Sequence, residues 1–127
     1  MIVLDASAAI ALFRREPGWE IIEDSATDAI MSAVNLGEVI QRQLRLNVSR
    51  VETERLIAEL GVLIVDVDGD LAMDAAELRH QIPKAGLSQA DCICLALAKR
   101  MGVVAVTTDR DWAEIADMVG VEVRVAR

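Results

Sequence analysis

Four acidic residues carry the chemistry legible in this chain: Asp5 after MIVL, Glu38 in SAVNLGEV, Asp91 in GLSQADCICLALA and Asp109 in VVAVTTDRDW. Each lies beside or inside an apolar run, where an unpaired charge is costly. If the fold gathers them, they form an oxygen-only ligand set, which suits a hard divalent cation such as Mg²⁺ or Mn²⁺. Ser7 and Thr107 flank Asp5 and Asp109, and their hydroxyls can orient a carboxylate or hold metal-bound water. Local backbone hydrogen bonding is the competing role for both hydroxyls. Asp111, two residues beyond Asp109, reads as an outer ligand or as a plain helix-start acid.

Helix capping is the competing account of the four acids. Asp5 and Asp109 stand where they can cap the helices that follow them. Ser88 and Asp91 satisfy the S-x-x-D capping box, and Asn35 with Glu38 comes close to one. Acids are also favoured at helix N-termini by the macrodipole. Caps, however, have no reason to gather at one edge of one sheet. Asp91 is the sharpest case, because the helix after it is apolar on nearly every face.

Other chemistries find little support. There is no GxGxxG, no GxxxxGK[ST] and no nucleophile elbow. His80 is the only histidine, so a triad has no base near a Ser or Cys. Cys92 and Cys94 stand two apart on a helix and point to different faces, which excludes a shared metal or a mutual disulfide. They read as small buried apolar residues. Asp66, Asp68 and Asp70 in IVDVDGD lack the Glu that completes a calcium loop, and read as a solvated turn.

The elements that must position the acids follow from the apolar pattern. Strands are expected at Ile2–Leu4, Ala29–Met31, Leu63–Val65, Val103–Val106 and Val121–Val125. Helices are expected at Ala6–Arg14, Trp19–Ser25, Val34–Leu46, Leu71–Gln81, Ser88–Met101 and Trp112–Val119. Ser49 and Glu52 form a capping box that opens a further helix to Leu60, and Pro83–Gly86 reads as a loop. Short Val/Ile/Leu strands separated by helices indicate an α/β fold with a parallel sheet covered on both faces. In such a sheet the carboxyl ends of the strands share one edge, and the crevice where the winding reverses is the default ligand site. If strands 1 and 4 are neighbours, Asp5 and Asp109 face each other across that crevice.

Composition bounds the rest. At 127 residues, 54% hydrophobic and 27% charged, the chain reads as one domain, 1–127, with an aliphatic core. Aromatics are limited to Phe13, Trp19 and Trp112, so nucleic-acid binding would work through backbone, metal and scattered Arg rather than base stacking. The net charge of −8 opposes generic nucleic-acid binding and invites a basic partner. Two bound divalent ions would offset half of it. The apolar start lacks a basic leading segment, and no stretch approaches the ~20 apolar residues of a membrane span. A cytoplasmic protein without membrane contact is the expectation.

The segments MIVLDASAAIAL, SAVNLGEV, LSQADCICLALA and VVAVTTDRDW, in that order and spacing, resemble PIN-domain proteins, specifically the ribonuclease toxins of VapBC-type toxin–antitoxin pairs. The resemblance covers essentially the whole chain. It implies a three-layer α/β/α PIN-like fold with a five-stranded parallel sheet and Mg²⁺-dependent endoribonuclease activity. Its acidic set falls on Asp5, Glu38, Asp91 and Asp109, with Ser7 and Thr107 supporting. Asn35 departs from the small hydroxyl residue common there, a change expected to touch no ligand. The resemblance further implies homodimers and a small antitoxin that blocks the site.

The expected reaction is hydrolysis of an RNA phosphodiester by a metal-activated water, leaving a 5′-phosphate. Asp5, Asp91 and Asp109 would hold Mg²⁺, while Glu38 would ligate it or orient the water. Arg14, Arg15, Arg42, Arg45 and Arg110 are candidates for phosphate contact. Two alternatives fit less well. An aspartyl phosphatase wants a second Asp where Ser7 stands, and a phospho-acceptor receiver or binding module wants paired acids after strand 1.

Overall fold

The computed structural model describes residues 1–82 and 86–127. Five strands form one parallel sheet: β1 (Ile2–Leu4), β2 (Ala29–Ser32), β3 (Leu63–Val65), β4 (Val104–Thr107) and β5 (Val123–Val125). Their order is β3-β2-β1-β4-β5. The chain winds outward from β1 through β2 to β3, then returns to the other side of β1 for β4 and β5. The winding therefore reverses between β1 and β4, whose register pairs Ile2 with Val104, Val3 with Ala105 and Leu4 with Val106.

Seven α-helices connect the strands among the described residues: α1 (Ala6–Arg14), α2 (Trp19–Ser25), α3 (Ala33–Arg45), α4 (Arg50–Leu60), α5 (Gly69–Gln81), α6 (Gln89–Met101) and α7 (Trp112–Val119). A short 3₁₀ turn, Ala26–Asp28, precedes β2. The two-residue period of the strands divides the core into two layers. Val3, Ile30 and Ala105 pack with α5, α6 and α7, burying Leu71, Leu95, Leu97 and Trp112. Ile2, Leu4, Met31 and Val106 face the opposite layer with α1, α2, α3 and α4. This is the three-layer α/β/α arrangement expected from the sequence.

Element boundaries move by one or two residues, and one physical cause explains several of the shifts. Helices α1, α3, α6 and α7 each close with a left-handed residue: Arg15 (φ 52°), Asn47 (φ 63°), Gly102 (φ 66°) and Gly120 (φ 69°). The amide of the next residue then bonds back five positions: Glu16 to Ala11, Val48 to Gln43, Val103 to Ala98 and Val121 to Ala116. That closure satisfies carbonyls left open at a helix end. It commits Val103 and Val121 to their helices, so β4 begins at Val104 and β5 at Val123. Asp68 moves the start of α5 forward to Gly69, because its carboxylate accepts from the Leu71 amide at 2.8 Å.

The Ser49–Glu52 box is half formed. Ser49 Oγ accepts the Glu52 amide at 3.1 Å, but the Glu52 carboxylate pairs with Arg55. Of the Pro83–Gly86 loop, residues 83–85 lie outside the described residues. Gly18 has φ 96° and packs against the backbone of Ala126, where an added Cβ would stand 2.3 Å from the carbonyl oxygen.

Candidate active site

Asp5 is the junction of β1 and α1, at the reversal of the sheet. Its amide donates to the Val106 carbonyl at 2.9 Å, extending the β1–β4 ladder by one residue and setting Asp5 beside Thr107. The side chain is only 4% exposed. It does not cap α1. Instead Oδ2 accepts from Ser7 Oγ at 2.6 Å and from Thr107 Oγ1 at 3.0 Å. Each hydroxyl has one proton and gives it to Asp5, so the 3.2 Å approach of the two hydroxyls is a contact and not a further bond. Both hydroxyls also tie down the loop after β4: Ser7 accepts the Thr108 amide and Thr107 accepts the Asp109 amide, each at 3.1 Å.

Burial pushes the Asp5 carboxyl up to about 6. The hydroxyl of Ser7 works against this, the charges of Asp91 and Glu38 add to it, and Thr107 opposes it. Beneath them the Cys94 thiol is raised well above its ordinary range by burial, then by Asp5, Asp91 and Glu38. Cys92 and Cys94 are both buried and unpaired, as small apolar residues would be. Asp5, Glu38 and Asp91 thus act on common neighbours, although 86 residues separate the first from the last.

Asp91 sits in the first turn of α6 in a complete capping box. Its Oδ2 accepts the Ser88 amide at 2.9 Å, and its own amide donates to Ser88 Oγ at 3.1 Å. The capping role is therefore real, and it coexists with a position beside Asp5. Asp109 does not cap α7. It follows β4 by two residues, is half-buried, and its Oδ1 accepts the Asp111 amide at 2.9 Å. The route from Asp5 to Asp109 runs through Thr107, so Thr107, not Asp109, stands directly across from Asp5. Asp111 is exposed at the start of α7.

Glu38 lies in the second turn of α3. The N-cap of α3 is Ser32, whose Oγ accepts the Asn35 amide at 3.0 Å, so Asn35 is not the cap that the Asn35–Glu38 spacing suggests. The expectation that Asn35 touches no candidate ligand is also corrected. Its Nδ2 donates to Glu38 Oε1 at 3.0 Å and to the Ala90 carbonyl at 3.2 Å. Its i,i+3 spacing to Glu38 was the only signal available in the sequence. Arg79 was not singled out; its Nη1 donates to the Leu87 carbonyl at 2.6 Å, just before Ser88.

The arginines are exposed. Arg14 ends α1 and Arg15 follows it, so both lie about 13 Å along the helix from Asp5. Arg15 stacks 4.8 Å over the Trp19 ring. Arg42 and Arg45 fall in the last turn of α3, beyond Glu38. Only Arg110 adjoins an acid of the site. His80 is exposed in the last turn of α5. Asp68 belongs to a cap and lies 3.6 Å from Arg100, so the acidic turn is more than a solvated one.

The donor set suits a hard divalent cation. It is all oxygen, no Lys or Arg pairs with any of the four acids among the described residues, and Asp5 Oδ1 is left without a donor. The side chains are not pre-closed. Among the described residues no three of them converge at ligand distance as they stand. Asp91 and Asp109 each hold a backbone amide on one carboxylate oxygen, Oδ2 and Oδ1 respectively, which leaves the other oxygen of each to a ligand.

The chain belongs to the PIN-domain family, whose sequence pattern matches residues 2–118. No curated protein sequence matches it. Solved structures share its fold. VapC20 of Mycobacterium tuberculosis, a sarcin-ricin loop cleaving toxin, superposes with a TM-score of 0.73 at 20% identity, covering 90% of this chain and 94% of its own. The chain of a toxin–antitoxin complex from Klebsiella pneumoniae gives 0.73 at 20% identity, over 100% of this chain and 98% of that one. FitAcB of Neisseria gonorrhoeae gives 0.68 at 26% identity, over 97% and 96%.

Proposed function

We propose that this PIN domain is a metal-dependent endoribonuclease and the toxin of a type II toxin–antitoxin pair. The observation that carries the proposal is the buried Asp5 carboxylate at the sheet reversal, with Glu38 and Asp91 acting on it and no cation paired with it among the described residues. Such a carboxylate is held at a cost that a bound cation removes. Asp5, Asp91 and Asp109 would hold Mg²⁺ or Mn²⁺, with Glu38 as a further ligand or as the group that orients water. When bound, a divalent ion lowers the pKa of water and offsets the charge of a phosphodiester. Ser7 and Thr107 keep Asp5 Oδ2 occupied and its Oδ1 available. Ser7 donates to Asp5, the part of a positioning hydroxyl and not of a second catalytic acid.

The partner reading rests on charge and on relatives solved as toxin–antitoxin complexes. With a net charge of −8 and this acidic site, the partner is a small basic antitoxin, one of whose arginines meets the carboxylates bidentately. A cytoplasmic homodimer completes the reading; among the described residues no helix is long and apolar enough to cross a membrane.

Freed of any partner, the protein is expected to cut RNA in Mg²⁺ or Mn²⁺, leave 5′-phosphate ends and stop in EDTA. Asp5→Asn, Asp91→Asn and Asp109→Asn should each abolish cleavage, and Glu38→Gln should cripple it. Asp91→Asn is informative because an amide oxygen still accepts the Ser88 amide and preserves the cap. Cleavage that persists in EDTA or in Asp91→Asn overturns the proposal.

A further inference from the structure

Asn35 is fully buried, on the first turn of α3, and every polar atom of its amide is used. Oδ1 accepts from Ser32 Oγ, and the two Nδ2 protons go to Glu38 Oε1 and to the Ala90 carbonyl. The orientation of the amide follows from its partners. Glu38 Oε1 and Ala90 O are acceptors only, so a flipped amide would set oxygen against oxygen at both. The Asn35–Ala90 bond spans 55 residues and joins α3 to α6 one position before Asp91. Arg79 holds the approach to the same helix at the Leu87 carbonyl.

We infer that Asn35 is a positioning residue that holds Glu38 and the Asp91 end of α6 in one frame, setting the separation of two acids that no backbone element links directly. The inference rests on the metal-dependent reading of the site, and it concerns how the site is built. A hydroxyl residue at position 35 has one proton and can serve Glu38 or Ala90, not both. Such supporting contacts typically change metal affinity by about 10- to 100-fold.

The test compares wild type with Asn35→Ser and Asn35→Thr, the second filling more of the buried volume if the first folds poorly. Mn²⁺ affinity is read by calorimetry, RNA cleavage across Mn²⁺ concentration, and amide exchange at Asp91 and Cys92 in EDTA. Both variants should bind Mn²⁺ about tenfold or more weakly, regain cleavage at saturating Mn²⁺, and exchange faster at Asp91 and Cys92. A merely structural asparagine would lower the melting temperature while the folded variant bound Mn²⁺ as wild type does. Unchanged affinity together with unchanged exchange overturns the inference. If wild type itself binds no Mn²⁺, the nuclease reading falls and exchange decides alone: faster exchange in the variants keeps the clamp, and unchanged exchange removes it.

Discussion

Asp5 holds its proton because desolvation outweighs the two hydroxyls that favour its charged form. That imbalance ties folding to pH with a definite sign. The folded-state value, about 6, lies above the ordinary 3.8, so the folded chain binds the proton more tightly than the unfolded one. The resulting stability is fully present below pH 3.8 and is lost as pH rises through about 6. The whole effect is on the order of 3 kcal/mol, of which about 1 kcal/mol falls between pH 5 and 7. Glu52 and Asp68, held low by Arg55 and by the Leu71 amide respectively, work in the opposite direction but below their ordinary values of 4.5 and 3.8. The interval from pH 5 to 7 therefore isolates Asp5. Metal-free protein should unfold at lower urea concentration at pH 7 than at pH 5, and Asp5→Asn should flatten the dependence. A wild type as stable at pH 7 as at pH 5 would show that Asp5 ionises without strain.

Among elements, the turn between α1 and α2 is held by shape and not by side-chain chemistry. Gly18 takes φ 96°, and its Cα faces the Ala126 and Arg127 backbone so closely that a methyl group has no room. Gly18→Ala should cost about 2 kcal/mol or more, measurable as a shift in the urea midpoint. Gly61→Ala, with φ 70° and open space around it, should cost less. An equal loss in both would mean that dihedral strain alone decides and the Ala126 contact is soft. Capping residues are the other local device here. Ser88 with Asp91 was readable from spacing as a box, because such a box involves residues only three apart. The bonds that close α3, α6 and α7 at Asn47, Gly102 and Gly120 leave no mark in the apolar pattern, which is why the strands after α6 and α7 begin later than their apolar runs.

For the molecule as a whole, the net charge of −8 and the proposed metal site predict that a divalent cation stabilises the fold. An ion that binds only the folded state stabilises it by about 2.7 kcal/mol at a hundredfold excess over its Kd. For a domain of this size that corresponds to a rise of roughly 10 °C in melting temperature. Mg²⁺ should produce such a rise at pH 7 in wild type and much less in Asp91→Asn, with Ca²⁺ and Na⁺ at equal ionic strength as controls. An equal rise in both proteins would mark general screening of acidic charge, not a site that includes Asp91.

The sequence by itself determined what is local. Apolar periodicity, turn residues and caps separated by a few positions defined the five strands and seven α-helices closely, though not the 3₁₀ turn at Ala26–Asp28, and the isolated acids identified themselves by standing against apolar runs. It also carried the family pattern that spans the chain. Only the tertiary structure decided which strand lies beside which, because parallel neighbours are joined through crossovers and their pairing leaves no short-range trace. That order set Thr107 opposite Asp5 and enclosed Asp5, whose carboxyl burial pushes up to about 6. Desolvation depends on everything packed around a carboxylate, and the residues that enclose Asp5 come from elements far apart in the chain. Asn35 shows the same division. Its spacing to Glu38 is written in the chain, but its bond to Ala90 exists only because the fold brings α3 and α6 together at the sheet edge.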